Sequence, residues 1–158
     1  MEEPALTPST GKAWARLVRS HRAVTTRIEA DLKAAGFPPL VWYDVLLELG
    51  RADDGRLAPA ALENALLFAQ YNVSRLLDRM AARGLVRREP HPRDARRQLV
   101  AITPEGRALR ERMWPTYAAA IERHLGAKLP GGRAGLLASL LARLMPDDHT
   151  RRDDDGVP

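Results

Sequence analysis

Apolar residues recur at three- and four-residue steps near the start of the chain, and this spacing predicts a long amphipathic helix over Trp14 to Leu32. Gly36 ends that helix, and Pro38 and Pro39 open a second one. The second helix, LVWYDVLLELG, is apolar on almost every side and is closed by Gly50. We therefore expect the second helix to lie in the core.

The middle of the chain predicts a short helix of about Pro59 to Leu67, followed by a longer one. The inward-facing residues of the short helix are Leu62, Leu66 and Leu67. The longer helix begins near Gln70, and at about 100° per residue it separates into two faces. Its apolar face carries Val73, Leu76, Leu77 and Met80. Its exposed face carries Tyr71, Ser74, Arg75, Asp78, Arg79 and Ala82.

A β-hairpin is predicted directly after this helix, which Gly84 terminates. The runs LVRRE and QLVAIT have the composition of strands, and the loop PHPRDARR connects them. The two prolines and four charged residues of this loop predict that it is exposed to solvent. The apolar members of the strands are Leu85, Val86, Leu99, Val100 and Ile102.

Two more helices are predicted after the hairpin. Thr103 is the expected N-cap of the first, with Pro104 at its first position, and Pro115 inside it is expected to produce a kink. Its apolar stripe has a four-residue step and consists of Leu109, Met113, Tyr117, Ile121 and Leu125. The linker LPGG leads to a last, leucine-rich helix, and the polar tail, 147–158, is predicted to be disordered.

Composition limits the classes of protein that the chain can belong to. With 158 residues, 45% of them hydrophobic, the chain is long enough for one domain with a core. The absence of cysteine excludes disulfides, thiolate metal sites and a cysteine redox switch. The four histidines lack metal-ligand spacing, so we expect no metal and no cofactor. No apolar run is long enough for a membrane span, so we expect a soluble, cytoplasmic protein.

Positive charge is concentrated in one part of the chain. Residues 70–97 carry a net charge of +5, which equals the formal net charge of the whole protein. A charge run is usually a solvated face, but eight arginines in one helix and hairpin favour a nucleic acid as the partner. The eight are Arg75, Arg79, Arg83, Arg87, Arg88, Arg93, Arg96 and Arg97.

This order of elements predicts a mainly α fold with a small β-hairpin wing, the winged helix-turn-helix, and double-stranded DNA as its partner. Such a fold places its second helix in the major groove, where Gln and Asn can recognise adenine and Arg can recognise guanine. The candidate base readers are Gln70, Tyr71, Asn72, Ser74 and Arg75. Arg79 and Arg83, farther along the helix, are better placed for phosphates. The hairpin supplies Arg93, Arg96 and Arg97, and we expect Asp94 to pair with Arg96 or Arg97 and to hold the wing in shape.

The run from about Leu40 to Gly106 resembles the MarR family of winged-helix transcription regulators. The matching segments are WYDVLLEL, SRLLDRMAARGLVRRE, the Asp94-x-Arg96 motif and ITPEGRAL. The resemblance implies a homodimer with dimerisation helices at 12–35 and 116–146 and a DNA-binding lobe at 39–103. It also implies a pseudo-palindromic operator, repression relieved by a small ligand, and insertion of Arg96 into the minor groove. One departure is Ala69, at the expected N-cap of the recognition helix, where many members have Ser or Thr.

The resemblance also implies an effector site where the first, second and fifth predicted helices meet, suited to a small aromatic or anionic ligand. The candidates are Trp14, His21, Trp42, Asp44 and Trp114. Tryptophans at helical spacing also fit core or dimer packing, and Asp44 also fits a hydrogen-bonded structural acid.

Two other classes of function are alternatives to the sequence-specific regulator. A sequence-tolerant architectural protein would share the basic helix and hairpin, but base-reading side chains on the exposed helix face favour a regulator. An enzyme is disfavoured, because the chain has no G-x-S-x-G elbow, no phosphate-binding glycine loop and no paired catalytic carboxylates.

Overall fold

Six α-helices and three strands make up the part of the chain that the computed structural model describes, residues 5–67 and 72–145. The chain divides into two compact units, Met1–Ala120 and Ile121–Pro158. The helices are α1 (Pro8–Ala34), α2 (Leu40–Arg51), α3 (Pro59–Ala65), α4 (Val73–Ala82), α5 (Pro104–His124) and α6 (Arg133–Ala142). The strands are β1 (Arg56–Leu57), β2 (Val86–His91) and β3 (Asp94–Ile102). A 3₁₀ turn at Gly126–Lys128 lies between α5 and α6.

Helix α2 is the central element of the first unit. Every residue from Leu40 to Leu49 is buried, as its nearly continuous apolar sequence predicts. The helix begins one residue after Pro39, which offers no side-chain acceptor for the first amide. The carboxylate of Glu29 on α1 takes that role, because both of its oxygens accept a hydrogen bond from the Leu40 amide, at 3.1 and 3.2 Å. A residue of α1 therefore caps α2 and connects the two helices at this end.

The three strands form one antiparallel sheet in the order β1, β3, β2. Strand β1 was not predicted, because two residues are too few to show an alternation; it pairs Arg56 with Ala101. The predicted loop at 90–97 was too long: after an irregularity between Pro90 and His91, His91 pairs with Asp94. Asp94, Arg96 and Arg97 therefore lie in β3 and not in a loop.

Helix α4 buries the predicted face, which consists of Val73, Leu76, Leu77 and Met80. The predicted start near Gln70, with Ala69 at the N-cap position, was wrong. Helix α4 begins at Val73, and the side-chain oxygen of its N-cap, Asn72, accepts a hydrogen bond from the Arg75 amide at 3.1 Å. Ala69 itself lies outside the described residues. Leu67, predicted to face inward, is mostly exposed, because α3 ends at Ala65 and the following backbone is extended at Leu66.

The base of the hairpin is joined to the neighbouring helices by Thr103. Its hydroxyl accepts a hydrogen bond from the Gly106 amide at 3.0 Å, which confirms Thr103 as the cap of α5. The same hydroxyl donates to the carbonyl of Gly84 at 2.6 Å, where α4 has just ended with Gly84 at φ +71°. A Cβ at Gly106 would lie 2.2 Å from the carbonyl oxygen of Leu85, so only glycine allows this close approach.

Helix α5 continues through Pro115 to His124. In the second unit, α6 buries none of its residues, and Leu136, Leu140 and Leu144 are exposed. The tail at 147–158 lies outside the described residues, and the predicted ranges of the dimerisation helices and the DNA-binding lobe remain predictions. No helix in the described part of the chain combines the length and the apolar composition of a membrane span.

An aromatic cluster joins α2 to α5 within the first unit. The ring centroid of Tyr43 lies 4.9 Å from that of Tyr117 and 6.2 Å from that of Trp114. Burial raises the pKa of Tyr117 to about 12, and the carboxylate of Asp44, the phenol of Tyr43 and the carboxylate of Glu29 add to the rise. Burial also raises the pKa of Tyr43. Both phenols are therefore neutral in the folded protein well above neutral pH.

We predict that the protein loses stability at alkaline pH partly through Tyr117. An unfolded tyrosine ionises near pH 10 and the folded Tyr117 near 12, so the unfolded state releases its proton first as the pH rises. Stability from this group is complete below about pH 10 and falls by about 2 kcal/mol as the pH approaches 12. Urea unfolding of wild type and Tyr117→Phe at about pH 9 and about pH 11.5 measures the difference. The variant should lose less stability between the two pH values, and equal losses would contradict the assignment.

Candidate nucleic-acid interface

The exposed face of α4 presents the side chains that the helical wheel predicted. Ser74, Arg75 and Arg79 are exposed, because the opposite face of the helix is packed into the core. Asn72 is also exposed, and its carboxamide oxygen is held at the N-terminus of α4 by the Arg75 amide. Gln70 and Tyr71, the other two predicted base readers, lie outside the described residues.

The wing is the end of the hairpin, residues 91–97, and local hydrogen bonds shape it. The Arg93 amide donates to Nδ1 of His91 at 3.2 Å, and the Arg96 amide donates to the Asp94 carboxylate at 3.1 Å. Asp94 thus holds the backbone at Arg96, whereas its predicted partner was an arginine side chain. The side chains of Arg93, Arg96 and Arg97 are exposed.

Three of the eight arginines have partners within the protein. The guanidinium of Arg83 lies over the ring of Trp42, with Cζ 5.4 Å from the ring centroid. Arg87 forms an ion pair with Glu89, which also pairs with Arg56 at 3.3 Å. The ion pair with Glu89 partly neutralises the charge of Arg87. The contact with Trp42 holds the guanidinium of Arg83 against the protein.

Arg88 is the third of these arginines, and it connects the hairpin to α4. Its guanidinium donates to the Asp78 carboxylate at 2.8 Å and, at longer range, to the carbonyl of Ser74 and the side chain of Gln98. One part of this arrangement follows from the sequence: adjacent strand residues point to opposite faces, so the side chains of Arg87 and Arg88 diverge. The partner of each arginine could not be inferred, because it depends on how the strand packs against α4.

The remaining five arginines are exposed and stay available for a partner. Within residues 5–67 and 72–145, none of them forms an ion pair. They lie on the outer face of α4 and on the wing, and they are Arg75, Arg79, Arg93, Arg96 and Arg97. These two surfaces together form a basic region that suits a polyanion.

The five predicted effector residues occupy different settings. Trp14 is 67% exposed, and His21 is exposed on the same helix. Trp42 is buried and contacts Arg83, and Trp114 belongs to the aromatic cluster between α2 and α5. Asp44 is buried, and its carboxylate accepts a hydrogen bond from the Leu67 amide at 2.7 Å. Asp44 therefore holds the chain just before the segment that leads to α4.

The aromatic residues Tyr43 and Tyr117 were not among the sequence-based effector candidates. Both had a signal in the sequence, since Tyr43 adjoins Trp42 and Tyr117 belongs to the apolar stripe of α5. Their meeting depends on the packing of α2 against α5, which the periodicity of each helix does not specify. Among the described residues, no group of three His, Asp or Glu side chains is arranged to hold a metal ion.

Comparison with known proteins identifies the family. The MarR family model matches residues 35–97, which include α2, the described part of the helix-turn-helix and the wing. The transcriptional regulator HosA of Escherichia coli O111:H- is 34% identical over 94 residues, which cover 60% of this chain and 69% of HosA. The MarR protein of Salmonella typhimurium is 29% identical over 92 residues, and the match spans 64% of its length. The repressor NicR of Pseudomonas putida is 26% identical over 144 residues, covering 91% of this chain and 87% of NicR.

Solved structures share the fold. AbsC of Streptomyces coelicolor, a MarR family regulator, has a TM-score of 0.74 at 26% identity, covering 94% of this chain and 99% of AbsC. Sco3205 of the same organism, solved in complex with DNA, has a TM-score of 0.78 at 22% identity, covering 93% of this chain and 94% of Sco3205. BpsR of Bordetella bronchiseptica has a TM-score of 0.70 at 23% identity, covering 92% of this chain and all of BpsR, 100%. The family is one of transcription regulators and not of enzymes. By its sequence and its fold, this chain belongs to the MarR family.

Proposed function

We propose that this member of the family is a homodimeric, sequence-specific DNA-binding repressor whose operator is pseudo-palindromic. The observation that carries the proposal is the sorting of its arginines. Arg83, Arg87 and Arg88 contact other parts of the protein, whereas the five that have no ion pair among the described residues lie on α4 and the wing. If the arginines served only as a solvated charged face, there would be no reason for these five to lie on α4 and the wing.

In the proposed complex, α4 enters the major groove. Arg75 lies in its first turn and recognises guanine, while Ser74 and Asn72 lie beside it at the same end of the helix. Gln70 and Tyr71 precede this end in the sequence and belong to the same proposed set. Arg79 is one turn farther along α4, and we assign it to the phosphate backbone.

The wing supplies the second contact. Arg96 enters the minor groove, where the negative potential favours a guanidinium, and Arg93 and Arg97 flank it on the hairpin. Asp94 contributes indirectly, because its hydrogen bond to the Arg96 amide holds the backbone from which Arg96 projects. A fixed backbone lowers the conformational entropy that Arg96 loses on binding.

A homodimer would cover the apolar residues that the terminal helices leave exposed. Leu136 and Leu140 on α6 and Leu144 just after it follow one another at four-residue steps and are 61%, 53% and 70% exposed. On α1, Trp14, Leu17 and Val18 are exposed as well. Exposed apolar stripes of this kind mark protein interfaces. A twofold dimer also matches a pseudo-palindromic operator.

Repression and its relief by a ligand are supported by two relatives. NicR is a transcriptional repressor, and DNA binding by BpsR is regulated by 6-hydroxynicotinic acid. We propose a small aromatic or anionic effector for this chain too, with Trp14, His21, Trp42, Asp44 and Trp114 as candidate contacts. The carboxylate of Asp44 accepts a hydrogen bond from the Leu67 amide, just before the segment that leads to α4. A ligand that contacts Asp44 would therefore alter the position of that segment and of α4.

Selection of bound sequences from random DNA tests the proposed function. We expect one enriched inverted repeat with half-sites about 10 base pairs apart, bound at least about 1,000-fold more tightly than random DNA. Affinity should also fall steeply with salt. If binding depends on salt but no sequence is enriched, the result would favour the alternative function, an architectural protein that coats or bridges DNA.

Arg96→Ala and Arg87→Ala form a matched pair that tests the sorting of arginines. Each removes one positive charge from the hairpin, but Arg87 is paired with Glu89 and Arg96 has no ion pair in the described chain. We expect operator affinity to fall at least about tenfold for Arg96→Ala and less than about threefold for Arg87→Ala. Fluorescence anisotropy with labelled operator measures both, and equal losses would contradict the sorting.

Leu140→Asp tests the dimer. A charge in the middle of the apolar stripe of α6 should prevent its burial against a second subunit. We expect the variant to sediment as a monomer at micromolar concentration, where wild type is a dimer. Ala138→Asp, an exposed position on the other side of α6, is the control and should remain dimeric. A monomeric wild type, or a dimeric Leu140→Asp variant, would rule out this interface.

A further inference from the structure

The outer half of the hairpin has little support from the sheet. Strand β1 pairs only with Val100 and Ala101 of β3, so the hairpin is two-stranded beyond these residues. A two-stranded hairpin is only marginally stable by itself in water. Arg88 lies opposite Val100, at the point where the third strand ends. A contact made by Arg88 therefore acts where support from the sheet stops.

Arg88 makes that contact with α4. Strand alternation places Arg88 on the same face of β2 as Val86, which is buried. Its guanidinium reaches the Asp78 carboxylate at 2.8 Å and the Ser74 carbonyl at 3.4 Å, one turn apart on α4. It also donates to Gln98 on β3 at 3.3 Å. One side chain thus connects both strands of the hairpin to the helix.

Asp78 is an unexpected residue on this face of α4. It lies next to Arg75 and Arg79, where a carboxylate would repel the phosphates of a bound nucleic acid. Its pairing with Arg88 offsets that charge. An exposed ion pair contributes little to folding stability, and the Asp78 side chain is 63% exposed. Stability alone therefore gives a weak reason for an acid at this position.

We propose that the Arg88–Asp78 pair is a positioning brace that fixes the wing relative to α4 and so sets the sequence specificity of the protein. This inference rests on the proposed function, because it assigns the two DNA-reading surfaces one fixed spacing. Asp78 and Arg88 act through Arg75 and Arg96 without touching bases themselves. With the brace broken, the wing adopts a wider range of positions, and the minor-groove contact loses its fixed register with the bases read by α4.

Asp78→Ala tests the brace against a matched control. Glu63→Ala, on the exposed side of α3, makes the same change in net charge and leaves the brace intact. Both variants should bind random DNA at least as tightly as wild type, because each has lost a negative charge. The ratio of operator affinity to random-DNA affinity should fall about tenfold for Asp78→Ala and remain within about twofold for Glu63→Ala.

Two further measurements separate positioning from charge. Asp78→Glu keeps the carboxylate and should retain a ratio within about threefold of wild type. Selection from random DNA with Asp78→Ala should lose preference at the base pairs contacted by the wing and keep it at those contacted by α4.

The inference is overturned if Asp78→Ala and Glu63→Ala have equal affinity ratios, or if Asp78→Glu is as unselective as Asp78→Ala. These outcomes require a wild type that prefers one sequence. A wild type without any preference refutes the proposed function instead, so the two failures are distinguishable.

Discussion

The hydroxyl of Thr103 makes the connection on which the arrangement of α4, the hairpin and α5 depends. It accepts from the first turn of α5 and donates to the backbone at Gly84, where α4 turns into β2. Because Gly106 has no side chain, the start of α5 approaches the Leu85 carbonyl closely enough for both bonds. The end of α4 and the two ends of the hairpin are thereby fixed to one another at the base. This junction holds the base of the hairpin, and the Arg88–Asp78 contact acts farther out.

The arginines differ along the hairpin in whether an acidic side chain pairs with them. Near the base, Glu89 holds Arg56 and Arg87 on one face of the sheet, and Asp78 holds Arg88 on the other. At the end of the hairpin, Asp94 is bonded to backbone and leaves the arginine side chains exposed. Arginine therefore forms ion pairs within the protein at one end of the hairpin, and at the other end its side chains are exposed and suit a polyanion.

Elements whose residues repeat along the chain could be predicted from the sequence. The buried face of α4, the burial of α2, the hairpin and the Thr103 cap all follow from periodicity or from the chemistry of a helix end. Strand β1, the cap at Asn72 and the exposure of Leu67 could not be predicted, because each depends on where a short segment meets another element. The partners of Arg83, Arg87 and Arg88 depend on tertiary packing in the same way. Gln70 and Tyr71 remain sequence-based candidates.

The central claim is that α4 and the wing read DNA as one rigid unit. Hydrogen exchange of the protein alone and with its selected operator tests this directly, because amide protection reports where the backbone becomes ordered or shielded. The account predicts that protection rises together over residues 74–79 and 91–97 and stays unchanged in β1. Protection confined to only one of these two segments, or present in neither, would contradict it.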